Sequence, residues 1–129
     1  MENKTEFIKI QDIQKFYPYK DGKIFHKRGE ERKFVKAVDG VSLTIERGEI
    51  LGVIGESGCG KSTLGRILVR LEAPTSGDVF LDGVSTERIL RQDPKQFRRN
   101  VQIIFQNPFD TFTPRDTIQK ILLRPLKHH

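Results

Sequence analysis

Apolar and polar residues alternate at Ile8 and Ile10, and again at Val41, Leu43 and Ile45, which predicts two half-buried strands. Arg47-Gly48-Glu49 reads as a turn after the second. The pattern then changes. Ile50 to Ile54 is almost continuously apolar, as expected of a parallel strand covered on both faces. A glycine-rich stretch, Gly55 to Gly60, follows it. Beyond that stretch Leu64, Ile67, Leu68 and Leu71 recur at helical spacing and predict one amphipathic helix, ended by Pro74 and Thr75-Ser76-Gly77. Val79 and Leu81 lead into an Asp82-Gly83 turn, a hairpin signal. Asp93-Pro94 is a cap and first-turn pair for a short helix. Val101 to Phe105 predicts another strand. Pro108 and Pro114 punctuate a loop, and Thr117 opens a helix carrying Ile118, Ile121 and Leu122 that Pro125 is expected to end. Strands and helices alternating in this way predict an α/β fold with a small antiparallel β portion.

The glycine-rich stretch carries the chemistry. Gly55-Glu56-Ser57-Gly58-Cys59-Gly60-Lys61-Ser62 fits G-x-x-x-x-G-K-[ST], and Thr63 follows. Glycines permit positive φ, so that successive backbone N–H groups converge on an anion. A helix beginning at Lys61 aims its positive end at the same point. The Lys61 ammonium can reach the β- and γ-phosphates of a nucleotide, and the Ser62 hydroxyl can ligate Mg²⁺. Four fixed positions match by chance about once in 10⁴ to 10⁵ windows at ordinary residue usage. The position between a buried strand and an amphipathic helix is also the one the mechanism needs. Cys59 reads as a small side chain filling the loop, although Lys61 and the helix start would favour a thiolate there. The loop alone does not choose among nucleotide-binding classes. A GTPase is disfavoured, because no Asp has Gly three residues later and Asn3-Lys4-Thr5-Glu6 stands in the wrong place for N-K-x-D.

Charge and composition narrow the picture. A single cysteine rules out an internal disulfide framework and suits a reducing compartment. No apolar run approaches the roughly 18 residues that span a bilayer, and the first residues do not form a secretory signal. The net charge is +6. Most of it arises between Lys15 and Lys36, where eight basic residues face three acidic ones. A solvated surface loop accounts for that segment. Contact with nucleic acid or anionic lipid is the alternative, and Phe16, Tyr17, Tyr19, Phe25 and Phe34 within it form no known RNA-binding motif.

Val35 to Leu43, Gly48 to Arg66, and Gln102 to Phe109 followed by Thr113-Pro114-Arg115 together resemble an ABC-transporter ATP-binding subunit. Glu56-Ser57-Gly58-Cys59, Leu64-Gly65-Arg66 and the Gln102–Phe109 stretch are similar to the dipeptide/oligopeptide importer branch. The resemblance implies that residues 1–129 are the N-terminal part of a nucleotide-binding domain with a P-loop core, incomplete in these residues. It implies ATP and Mg²⁺ as cofactors, held by Gly55 to Thr63. Gln106 matches the Q-loop glutamine, which contacts Mg²⁺ or the attacking water and couples to the membrane subunits. Tyr17 best matches the aromatic that stacks on adenine, with Phe16 and Tyr19 as rivals. The implied partners are transmembrane permease subunits, a second ATPase subunit and, indirectly, a solute-binding protein, at the cytoplasmic face of the membrane; no nucleic acid is expected. The family's signature motif, Walker B carboxylate and switch histidine have no match here, and His26, His128 and His129 fit none of these roles. No catalytic residue is therefore assigned, and hydrolysis by these residues alone is not expected. A fragment of a longer subunit, a truncated non-hydrolysing nucleotide-binding module and a basic nucleic-acid-binding protein remain as readings.

Overall fold

The computed structural model describes residues 6–19, 33–107 and 116–128, with side chains through Arg124 in the last segment. The described elements are strands β1 (Glu6–Pro18) and β2 (Phe34–Glu46), helix α1 (Lys61–Leu68), strands β3 (Ser76–Leu81) and β4 (Val84–Ser85), and helices α2 (Thr86–Gln92), α3 (Pro94–Asn100) and α4 (Ile118–His128). They fall into two compact units, Met1–Glu87 and Arg88–His129.

In the first unit the strands form one antiparallel sheet in the order β2-β1-β3-β4. Ile10 and Ile13 of β1, Val38 of β2 and Val79 of β3 form its core with Leu64 and Ile67 of α1. Both predicted N-terminal strands form, but each extends much further than the alternation showed. β1 continues through Lys15, Phe16 and Tyr17 to Pro18, and β2 begins at Phe34. The ends of the segment expected as a basic loop are therefore paired strand; its centre, residues 20–32, lies outside the described residues. Lysine stems explain the difference. The Lys15 ammonium sits 5.2 Å from the Tyr17 ring centroid and that of Lys36 sits 5.4 Å from the Phe16 ring, so these cations cover aromatic surface.

The β1 strand bends at Asp12, whose φ is 46°. The ladder to β2 shifts register between Ile10 and Ile13, and the Ser42 hydroxyl accepts the Asp12 N–H at 2.8 Å. The bend presses the Asp12 carbonyl against Gly77, where an added Cβ would lie 2.2 Å from that oxygen. The hairpin turn at Asp82 and Gly83 forms as expected, with φ of 52° and 77°, as a two-residue primed turn requires.

Helix α1 ends earlier than its pattern predicts, and Leu71 is exposed. Arg70 takes a left-handed φ of 54°. The Arg70 N–H bonds the Ile67 carbonyl at 3.0 Å and the Leu71 N–H bonds the Arg66 carbonyl at 2.9 Å, which is a Schellman stop. Glycine usually occupies that position. Here the Arg70 side chain compensates by donating from Nε to the Thr86 hydroxyl at 2.7 Å and from Nη2 to the Asp78 carboxylate.

Two predicted strands do not form. Residues 50–54 and 101–105 join no sheet among the described residues, and Ile50, Ile54 and Ile104 are 97%, 95% and 97% exposed. A strand exists only through hydrogen bonds to a neighbour, and the described residues supply none. In the second unit Asp93 caps α3 by accepting the Gln96 N–H at 2.9 Å, and Phe97 is buried. Helix α4 starts where expected, with the Thr117 carbonyl accepting the Ile121 N–H at 3.1 Å. It runs through Pro125 to His128 rather than ending there. Proline forfeits one backbone bond, which the last turn of a helix tolerates better than its middle.

Gly48 and Gly77 share a left-handed φ, 80° and 82°, but a Cβ at Gly48 meets nothing within 4 Å. Gly48→Ala should therefore cost only the backbone strain, ~1 kcal/mol, whereas Gly77→Ala should cost ~3 kcal/mol or more. Urea unfolding midpoints of the two variants measure the difference.

Candidate functional site: the glycine loop and its aromatic neighbour

The loop between residue 54 and α1 closes on its own lysine. Lys61 Nζ donates to the Gly55 carbonyl at 2.6 Å and the Glu56 carbonyl at 2.7 Å, and lies 3.4 Å from Cys59 Sγ. The Cys59 N–H bonds the Glu56 carbonyl at 3.4 Å. Gly58 and Gly60 turn the chain with φ of 82° and 98°. Gly60 is the helix N-cap, and no side chain caps α1. Its carbonyl accepts the Leu64 N–H at 2.9 Å, so the N–H groups of Lys61, Ser62 and Thr63 lie in the turn that has no intrahelical acceptors. Ser62 is exposed and Thr63 half-buried.

Glycine is required at Gly60, and a side chain at Gly55 would displace the Cys59 sulfur. A Cβ at Gly60 would lie 2.1 Å from the Ala37 carbonyl oxygen of β2, and one at Gly55 would lie 2.8 Å from Cys59 Sγ. Cys59 is exposed, yet its sulfur packs on Gly55 and Lys61, so its position is more constrained than a filler residue implies. Ser57 and Glu56 are exposed.

The same contact with β2 brings Tyr17 into the neighbourhood. Tyr17 pairs with Val35, two residues from Ala37 and so about 7 Å along the strand. The Tyr17 hydroxyl donates to the Glu72 carboxylate. Lys15 Nζ lies 3.1 Å from the same carboxylate and donates to the Ala73 carbonyl at 2.7 Å. Of the rivals, Phe16 carries Lys36 over its ring, and Tyr19 is exposed beyond the end of β1. Gln106 is exposed in the second unit. Glu72 and Lys15 were not singled out from sequence. One signal was available: a carboxylate just past a helix C-terminus opposes the helix dipole and needs a compensating partner.

The ABC transporter family model matches residues 38–125. The chain belongs to the ABC transporter family. It is 39% identical over 128 residues to an oligopeptide transport ATP-binding protein of Bacillus subtilis (strain 168), AppF, covering 98% of this chain and 38% of that protein. It is 46% identical over 118 residues to the dipeptide transport ATP-binding protein DppF of Escherichia coli (strain K12), covering 89% and 33%. Among solved structures it is similar to the ABC ATP-binding cassette MJ0796 in its dimeric post-hydrolysis state bound to ADP and Pi, with a TM-score of 0.66, 30% identity, and coverage of 93% of this chain and 47% of that one. This ABC chain therefore has the ABC ATPase type of α/β P-loop fold, and it spans about two fifths or less of those two relatives' length. No helix among the described residues is long and apolar enough to cross a membrane.

The Glu72 carboxyl is held below its ordinary value of 4.5, first by the Tyr17 hydroxyl and then by Lys15, with Arg66 adding to the effect and burial opposing it. A depressed acid stabilises the fold above its unfolded pKa, and that contribution is lost as pH falls through the folded value. Tyr17→Phe should thus lower the melting temperature at pH 7, and the gap from the parent should close on acidification below pH 4.5. Thermal melts of both across pH 3–7 check this.

Proposed function

We propose that this chain is the N-terminal part of a nucleotide-binding domain that binds Mg·ATP in an importer for dipeptides, oligopeptides or related solutes. The observation carrying this reading is the loop closed on Lys61. An ammonium held by two backbone carbonyls stands in the same loop as the first N–H groups of α1, which have no intrahelical acceptors, a donor set suited to phosphates. The close approach of Gly60 to the Ala37 carbonyl seats the end of the loop on β2.

Each residue then has a task. The backbone N–H groups of Lys61, Ser62 and Thr63 orient the phosphates, and Lys61 balances the charge on the β- and γ-oxygens. Ser62 presents its hydroxyl to Mg²⁺. No cluster of three His, Cys, Asp or Glu side chains among the described residues could hold a metal by itself, so the ion would depend on the nucleotide and Ser62. Mg²⁺, when bound, neutralises phosphate charge and orients it for reaction. Tyr17 offers its ring to the base. The names of the relatives support a role in transport; on this reading the partners are membrane permease subunits at the cytoplasmic face of the membrane, with a solute-binding protein acting indirectly. The dimeric cassette supports pairing with a second ATPase subunit.

Lys61→Ala should weaken Mg·ATP binding by ~1.5–3 kcal/mol, the worth of a hydrogen bond to a charged group. Isothermal titration giving parent-like affinity would remove the phosphate-site assignment. Residues 1–129 alone should bind nucleotide without turnover, since nothing in their sequence matches the family's catalytic carboxylate, a loss worth about 10²–10⁴-fold. A phosphate-release assay, with Lys61→Ala as the contamination control, tests this. Steady release that disappears in the variant would show a catalytic carboxylate within these residues.

A further inference from the structure

Tyr17 is the second residue from the end of the β1–β2 ladder, with only the Pro18–Phe34 pair beyond it, and an unanchored phenol there would be free to rotate. It is anchored instead. Its hydroxyl donates to Glu72, and the same carboxylate holds Lys15 at 3.1 Å. Lys15 also reaches back 5.2 Å from the Tyr17 ring centroid, so one face of the ring carries a cation. The Lys15 and Glu72 side chains are only 17% and 20% exposed.

Glu72 is itself held firmly. Its N–H bonds the Arg66 carbonyl at 3.3 Å, within the stop that ends α1. The chain that follows lies along β1. The Thr75 N–H bonds the Gln14 carbonyl at 2.7 Å, and the Thr75 hydroxyl accepts the Phe16 N–H at 3.0 Å. The helix whose first turn faces the phosphate loop thus leads, at its other end, to the carboxylate that grips Tyr17.

We infer that Glu72 is a positioning residue for the nucleotide base: it fixes the Tyr17 ring, with Lys15 on one face, so that the opposite face is ready to receive the base. This rests on the reading of Tyr17 as the base platform. A ring ordered before binding has no rotamer freedom left to lose on binding, so the effect falls on affinity for the base and not for the phosphates. Stacking tolerates different bases, so ATP and GTP are affected alike. The phenol needs an acceptor and not a charge, so glutamine can replace Glu72 in this role.

The test is isothermal titration of the full-length protein with Mg·ATP, Mg·GTP and magnesium tripolyphosphate. Tyr17→Ala should weaken both nucleotides about 10-fold or more and leave tripolyphosphate unchanged. Glu72→Ala should weaken both nucleotides about 3- to 10-fold, again sparing tripolyphosphate, and Glu72→Gln should stay within about 2-fold of the parent. Tyr17→Phe, which keeps the ring and the carboxylate but breaks their bond, should match Glu72→Ala. The combined variant should be no weaker than either. Tyr17→Phe carries the same test if Glu72→Ala does not fold. Selective loss in Tyr17→Ala with parent-like binding in Glu72→Ala and Tyr17→Phe would overturn the role of Glu72 and leave the base platform standing. Parent-like binding in Tyr17→Ala would overturn both. Equal weakening of nucleotides and tripolyphosphate by Glu72→Ala would show that Glu72 acts only by supporting α1.

Discussion

Gly60 rests against the carbonyl of Ala37, close enough that a Cβ would lie 2.1 Å from the oxygen. The site depends on that approach. It seats the end of the loop and the start of α1 directly on β2, with no side chain between. Val38, next to Ala37, and Leu64 and Ile67, one and two turns into the helix, then share one core with Ile10, Ile13 and Val79. Lys61 follows Gly60, so the packing fixes where its stem starts, and the Gly55 and Glu56 carbonyls then hold its ammonium. A larger residue at position 60 would have to shift either the helix or the strand, and backbone atoms do not yield cheaply.

The other end of α1 is fixed by different physics. Arg70 adopts a conformation that costs a non-glycine residue ~1–2 kcal/mol. Its guanidinium then bonds Thr86 and Asp78, both part-buried contacts. The strain is offset by charge-assisted hydrogen bonds, which are stronger than neutral ones. Breaking the helix at that point frees residues 71–75 to run beside β1, and there Lys15, Tyr17 and Glu72 meet. Phosphate loop and aromatic neighbour are thus joined twice, through the β1–β2 ladder and through α1.

The apolar runs at 50–54 and 101–105 obey another constraint. The first suits a strand buried on both faces and the second a further strand, but pairing requires neighbours that the described residues do not include. Ile50 and Ile104 remain almost fully exposed. A chain of this family that spans about two fifths or less of AppF or DppF has the pattern of a core without all of its layers. An apolar surface of that kind favours association.

The sequence by itself determined the features that rest on local chemistry. The G-x-x-x-x-G-K-S spacing located the phosphate loop, Asp82-Gly83 the hairpin turn, and Asp93-Pro94 the start of α3, because each depends on backbone conformations set within a few residues. Alternation found the middle of β1 and β2 but not their ends, where lysine stems on aromatic rings replace the expected apolar residues. Only the tertiary structure decided that α1 stops at a left-handed Arg70, that β1 bends at Asp12 onto Gly77, and that Glu72 grips Tyr17 across 55 residues of sequence. Such contacts join distant segments, and their partners become neighbours only when the sheet and helix pack.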